Sequence, residues 1–260
     1  MSYLKVSNFT KTINKTKILD NISFELEKGK LLVILGKSGA GKTTLLRNIN
    51  LLDFPEVGTL ELDGEIVYNY QEGAISSNEL QRRHKLVGLV FQNFNLFPHY
   101  NVLQNVTLAV DLENKLKVKE FKKSYDGKDK RNAVKEYSKK LQDETKEKAL
   151  KILSDLGLEN KINNYPYQLS GGEQQRVAIS RALILNPKVL CFDEPTSALD
   201  PALTGEVVKV INGLKQQNQT MIVITHELDF AKAVADKIIV IEKGKVIEEK
   251  DNIIWKKDTR

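Results

Sequence analysis

The most constraining feature of the chain is an eight-residue stretch, Gly36-Lys37-Ser38-Gly39-Ala40-Gly41-Lys42-Thr43, which fits the pattern Gly-x4-Gly-Lys-Thr. A continuous apolar run, Leu31-Leu32-Val33-Ile34-Leu35, precedes it, and Leu45, Leu46, Ile49 and Leu52 follow at helical spacing. Strand, glycine-rich turn and helix in that order make a phosphate cradle. Glycines let the loop wrap so that backbone N–H groups point inward at anionic oxygens. The helix presents the positive end of its dipole to the same anion. Lys42 is placed to neutralise the β- and γ-phosphates of a nucleotide, and the Thr43 hydroxyl to ligate Mg²⁺. A glycine loop that binds nothing would need neither flanking element. Alone, the stretch does not separate GTPases, kinases and motors.

Val189-Leu190-Cys191-Phe192-Asp193-Glu194 supplies a second half. Four apolar residues bury a strand, and two carboxylates emerge at its C-terminal end, where parallel sheets bind their ligands. Asp193 is placed to hold Mg²⁺, mostly through water, because Mg²⁺ takes oxygen ligands and keeps its hydration. Glu194 is the candidate general base for the attacking water. Cys191, inside the strand, reads as a small buried hydrophobe. Ile22, Phe24 and Leu26 alternate as in a half-buried strand, and residues 60–66 carry an Asp-Gly turn between alternating residues, a hairpin signal. Residues 86–91 read as another strand, and 101–157 as mostly helical. A helix at 173–185 stops at Asn186-Pro187. Helix 204–214, strand 221–225, helix 227–235 and strand 238–241 follow. Apolar strands alternating with helices imply a parallel sheet covered on both faces. The hairpins imply a smaller antiparallel sheet at its edge, and the middle third a helical lobe.

Leu169-Ser170-Gly171-Gly172-Glu173-Gln174-Gln175 is a second anion trap, with a serine hydroxyl and two glycine N–H groups at the start of a helix. An ordinary helix N-cap would explain Ser170 but not the glycine pair or the placement ahead of Asp193. Here the sequence resembles the ABC ATPases, whose signature appears with Glu173 in place of the first Gln. The resemblance spans nearly the whole chain. It implies an α/β P-loop NTPase (RecA-like) parallel-sheet core with an antiparallel β subdomain and a helical signature subdomain. Residues 1–260 are then one nucleotide-binding domain, with the helical subdomain at about 93–180. In this family two chains meet head to tail, so Ser170, Gly171 and Gly172 are expected to close over the partner's nucleotide.

The resemblance assigns further roles. Gly36, Lys37, Ser38, Gly39, Ala40, Gly41, Lys42, Thr43 and Thr44 are expected around ATP, with Thr43, Gln92 and Asp193 on Mg²⁺. Glu194, His226 and Gln92 are the expected catalytic group. Gln92 resembles the residue that joins the core to the helical lobe, and His226 the switch histidine at the γ-phosphate. Ser197-Ala198-Leu199-Asp200 resembles the loop across the dimer interface, so Asp200 joins the nucleotide-binding set. His84 and His99 have no such support and are left as surface residues. Residues 90–99, 165–169, 193–201 and 225–231 resemble importers of polar amino acids in particular. That implies separate transmembrane permease subunits, a homodimer on ATP binding, an indirect solute-binding partner, and a place on the cytoplasmic face of the membrane.

Three departures from the family stand out. The position that relatives fill with an aromatic residue to stack adenine is Ile13 here. Either Ile13 offers an aliphatic platform, or another aromatic such as Phe9 folds across. Residues 112–148 form a longer and more basic stretch than in most relatives, which reads as an insertion in the helical lobe. Finally, the chain stops at Arg260, near where relatives usually have one more short segment.

Composition narrows the alternatives. Hydrophobic residues make up 41% and charged residues 28% of 260, an ordinary globular balance. No apolar run approaches the roughly 18–20 residues that span a bilayer, so transport would need other chains. The net charge of +6 is concentrated: residues 112–148 hold 13 Lys or Arg against 8 Asp or Glu. That distribution argues against a nucleic-acid partner. A solvated surface is the simpler reading of the segment, and contact with anionic phospholipid the other. The rival functions are a soluble ABC ATPase acting on ribosomes or DNA, or an importer ATPase for another small solute. Translation-type members carry two cassettes and DNA-repair members insert long coiled coils; this chain has neither.

Overall fold

The computed structural model describes residues 2–73, 75–200 and 203–251. Along the chain, β1 (Ser2–Ile13) and β2 (Thr16–Glu27) pair, and β3 (Leu31–Leu35) leads through the glycine-rich turn into α1 (Lys42–Ile49). The hairpin β4 (Val57–Leu62) and β5 (Glu65–Asn69), α2 (Ser77–His84) and β6 (Val87–Val90) come next. The helices α3 (Val102–Ser124), α4 (Lys130–Asp155) and α5 (Gly171–Leu183) fill the middle of the chain. They precede β7 (Val189–Asp193), α6 (Thr204–Gln216), β8 (Thr220–Thr225), α7 (Leu228–Val234), β9 (Lys237–Glu242) and β10 (Lys245–Asp251). The chain divides into two compact units, one made of Met1–Asn93 with Pro187–Arg260, the other of Phe94–Asn186.

The first unit holds two sheets. Six strands run in the order β10-β9-β3-β8-β7-β6, parallel from β9 to β6 with β10 antiparallel at one edge. Every residue of β3 and β8 is buried, because helices and the second sheet cover both faces. The second sheet is antiparallel, in the order β2-β1-β4-β5. It faces the parallel sheet rather than extending its edge: Leu45, Leu46 and Ile49 of α1 share one core with Leu4, Phe9 and Leu60 from one sheet and Ile34, Cys191 and Ile222 from the other.

Three elements escaped the sequence reading, each for a physical reason. In β1 the buried residues Leu4, Val6 and Phe9 are spaced two and then three apart. An irregularity with Asn8 at φ 56° breaks the alternation. β10 is a charged edge strand whose residues alternate only between exposed and half-buried. α2 buries no residue fully, so no apolar period marks it; Ser76 caps it, accepting from the Glu79 N–H. His84, expected at the surface, is half-buried: its Nε2–H donates to the Leu51 carbonyl at 3.0 Å. His99 is exposed.

The second unit is helical and has its own core of Val102, Val106, Ala149, Leu153, Leu158, Leu169, Val177 and Ile184. It runs six residues further at its C-terminal end than the expected 93–180. α3 and α4, of 23 and 26 residues, form a long hairpin over the segment read as an insertion. Its middle is fixed by a buried polar pair, in which Asn114 Nδ2 donates to Thr145 Oγ1 at 2.9 Å. Nearer the tip, the Phe121 ring lies 4.5 Å from Tyr137 and 5.5 Å from Tyr125. One side chain makes four bonds to the stretch entering α3. Asn105, fully buried, donates to the carbonyls of Phe97, Tyr100 and Asn101 and accepts from the Phe97 N–H. Arg181 adds bonds to the carbonyls of Phe94 and Asn95.

Candidate functional site

The sheet order gathers what the sequence scatters. The strands β3, β8, β7 and β6 are consecutive neighbours, and at their C-terminal ends stand the glycine-rich loop, His226, Asp193 with Glu194, and Gln92. Leu35 pairs with Thr225, Asp193 with Ile224, and Val90 with Phe192, so four motifs leave the sheet at one level. This is the end of a parallel sheet at which ligands bind.

Glycine is required in the loop. Gly41 has φ 100°, and a Cβ there would stand 2.6 Å from the Ile18 carbonyl oxygen; a Cβ on Gly36 would stand 2.5 Å from that of Ile241. The loop is thus wedged between β2 and β9, and within it the Ala40 N–H donates to the Lys37 carbonyl. Lys42 is only 6% exposed and spans the loop: its Nζ donates to the carbonyls of Gly36 at 2.7 Å and Lys37 at 3.2 Å. The same Nζ lies 3.3 Å from Glu194 Oε1. Glu194 has φ 48°, an uncommon conformation for a non-glycine residue. Its N–H donates to the Ile224 carbonyl, and its Oε2 lies 2.6 Å from His226 Nδ1. The general-base candidate is therefore held between a buried ammonium and an imidazole.

Thr43 Oγ1 donates to Asp193 Oδ1 at 3.4 Å. Burial, and then the charge of neighbouring Glu194, push the Asp193 carboxyl above its ordinary range, against the lowering pull of Thr43 and Lys42. A half-buried carboxylate crowded by a second one is relieved by a cation. Among the described residues no cluster of three His, Cys, Asp or Glu could hold a metal by itself. One carboxylate and one hydroxyl suit Mg²⁺, which completes its shell with phosphate and water oxygens.

A cleft of about 820 Å³ runs over these groups, lined by the loop from Lys37 to Gly39 and by Gly41, Lys42, Thr43 and Thr44, with Gln92, Glu194, Ser197 and His226 opposite. Ile13, at the end of β1 and 41% exposed, lines its far wall together with Ile18. Ile18 was missed by the sequence reading; it stands across the tight β1–β2 turn, where Ile13 pairs with Thr16. Phe9 is fully buried in the core and does not fold over the cleft. Gly36 and Ala40 are not among the residues lining this cleft; they line a second cavity with Leu228, Val240 and Ile247. Asp200 is exposed and is not among the lining residues; Pro201 lies outside the described residues. Burial pushes the Cys191 thiol up to about 12, as suits an inert core position.

In the helical unit Ser170, Gly171 and Gly172 begin α5. Ser170 caps the helix, accepting from the Glu173 N–H at 3.3 Å, while the Glu173 carboxylate accepts from the Ser170 N–H at 2.8 Å. Glutamate thus fills the reciprocal capping position as Gln would. That backbone bond holds its carboxyl below the usual range, with Lys161 at 3.2 Å as a second cause.

Known proteins resemble the chain over most of its length. The ABC transporter family profile matches residues 19–197. The chain is 44% identical to a probable amino-acid ABC transporter ATP-binding protein of Haemophilus influenzae, over 96% of this chain and 88% of the relative. It is 42% identical to the L-cystine transport system ATP-binding protein of Escherichia coli, over 96% and 90%. Among solved structures, an ATP-binding cassette in a dimeric post-hydrolysis state with ADP and Pi superposes with a TM-score of 0.72 at 30% identity, over 96% of this chain and 98% of that one. With the loop, the paired carboxylates and the signature in the positions described, the chain belongs to the ABC transporter family, as an ATP-hydrolysing subunit.

Proposed function

We propose that the chain powers uptake of a polar amino acid, hydrolysing Mg-ATP in a head-to-tail dimer bound to separate permease subunits. The observation that carries the hydrolytic part is the placing of Glu194, in the lining of the cleft, between Lys42 and His226. The substrate class is supported by relatives named for amino-acid and L-cystine transport. Among the described residues no helix is long and apolar enough to cross a membrane; in this reading the permease and the solute-binding protein are other chains. The protein itself sits on the cytoplasmic face of the membrane through the permease.

In this reading Lys42 exchanges its carbonyl partners for β- and γ-phosphate oxygens, and the loop N–H groups and Thr44 complete the cradle. Thr43, Asp193 and Gln92 hold Mg²⁺, which when bound draws off phosphate charge. Glu194 takes a proton from the water that attacks the γ-phosphorus as its bond to the β–γ bridging oxygen breaks and ADP leaves, and His226 holds the γ-phosphate and orients Glu194. Ser170, Gly171 and Gly172 of the partner chain close the site, with Asp200 at the interface.

Ser170→Arg tests the trans arrangement. A bulky cation in the trap should leave ATP binding to the monomer unchanged but lower ATP-dependent dimerisation and turnover about tenfold or more, as one lost charge-assisted contact implies. Size-exclusion chromatography with ATP and a phosphate-release assay read both; full activity in this variant would rule out the sandwich. Co-purification from membranes separates a transporter subunit, which brings hydrophobic partner chains, from a soluble ABC ATPase.

Ile13→Tyr tests the adenine wall. Ile13 and Ile18 give apolar contact without aromatic stacking, a contact worth about 1–3 kcal/mol in nucleic-acid sites. The variant should bind ATP several-fold more tightly in a titration, with a smaller change in turnover at saturating ATP. Unchanged affinity would mean that the base does not lie on this wall.

A further inference from the structure

The α3–α4 hairpin carries charge that ATP chemistry does not use. From Lys115 to Lys140 there are eleven Lys or Arg against four Asp or Glu. On α3 this charge is ordered. At 100° per residue, Leu112, Lys115, Leu116, Lys119, Lys122 and Lys123 fall within about 120° of arc. Lys117, Glu113 and Glu120 fall outside that arc. All six side chains of the arc are exposed, Leu112 and Leu116 by 53% and 54%. The opposite face is settled by its contacts: Asn114 bonds to Thr145, and Phe121 packs on Tyr137. Among the described residues none of these four lysines has a carboxylate partner; an ion pair within the hairpin joins Lys140 to Glu144 at 3.9 Å.

Two exposed leucines and four lysines with no carboxylate partner among the described residues, on one helical stripe, match an anionic bilayer surface. Leucines enter the boundary between headgroup and acyl chain, lysine stems lie along it, and the ammonium groups meet lipid phosphates. A duplex nucleic acid would match the lysines but give the leucines nothing to bury against. We infer that the α3 stripe is a membrane-contact surface for anionic phospholipid. It takes from the proposed function only that the chain works beside a membrane.

The test is sedimentation of the full-length chain with vesicles. The chain should partition onto phosphatidylcholine vesicles containing phosphatidylglycerol, not onto phosphatidylcholine alone, and lose binding as salt shortens the screening length. Changing Lys115, Lys119, Lys122 and Lys123 together to Gln should lower partition at least about tenfold. Changing Leu112 and Leu116 to Ser should lower it about tenfold while leaving its salt dependence. Glutamine preserves helix propensity, and none of these residues lines the nucleotide cleft, so both variants should keep ATP turnover. Equal partition onto neutral vesicles, or a lysine variant that binds like the parent, overturns the inference. So does capture of duplex DNA, but not of anionic vesicles, through the same lysines. Failed vesicle binding with normal ATP turnover rejects this surface alone, whereas absent turnover in the parent chain rejects the functional reading.

Discussion

Glu194→Gln is expected to slow ATP hydrolysis by roughly 10²–10⁴-fold, the usual worth of a general base, while leaving ATP binding intact. The substitution is nearly isosteric, so the helical and sheet contacts around it survive. The left-handed backbone at φ 48° and the bond from the Glu194 N–H to Ile224 do not depend on the side chain's charge. What is lost is the capacity to take a proton from water. Glutamine keeps a carbonyl oxygen to face the Lys42 ammonium, now 3.3 Å from Glu194 Oε1. Because reopening of the dimer needs turnover, the variant should accumulate as an ATP-bound dimer. Phosphate release and size-exclusion chromatography with ATP measure the two effects, and near-normal turnover would sink the role given to Glu194.

Lys42→Ala is expected to act one step earlier and weaken ATP binding by roughly 10–100-fold, the range for losing hydrogen bonds to a charged partner. The fold should tolerate it less well than an exposed change. Lys42 ties the carbonyls of Gly36 and Lys37 together, and its removal also leaves Glu194 without its ammonium. The readout is therefore a nucleotide titration alongside a thermal melt. Lost affinity with a folded chain supports the phosphate role, and unchanged affinity would mean that the loop is not the cradle.

Much of the architecture was legible because its signals are local. A buried parallel strand such as Val189–Asp193 announces itself as an apolar run, and the glycine loop between strand and helix fixes the start of the core. β1 was hidden because Asn8 interrupts its two-residue period, and β10 because an edge strand carries Lys and Glu for its solvated face. The site was legible where residue type states the chemistry, as in Lys42, Asp193 and Glu194. It was not where a role comes from backbone placement. Ile18 lines the base wall because a tight turn folds it beside Ile13, and Asn105 pins the segment from Phe97 to Asn101 because four backbone groups converge on one amide. A single sequence carries no mark of such convergence.

The central strands β3 and β8 are buried along their whole length, and this bears on how accurately the site assembles. In a sheet with one wet face, sliding a strand by one residue would turn its apolar side chains toward water and be rejected. Here both sides of each strand are equally dry, so exposure to water does not by itself reject a slip. Alignment is instead enforced by polar groups at the strand termini. Met221 N–H donates to the Lys30 carbonyl, Leu31 N–H to the Asp236 carboxylate, and Glu194 N–H to the Ile224 carbonyl. These few bonds act as detents on a smooth rail. They bring the base, the histidine and the glycine loop level with one another, and so the alignment of the catalytic groups rests on the rim of the sheet more than on its middle.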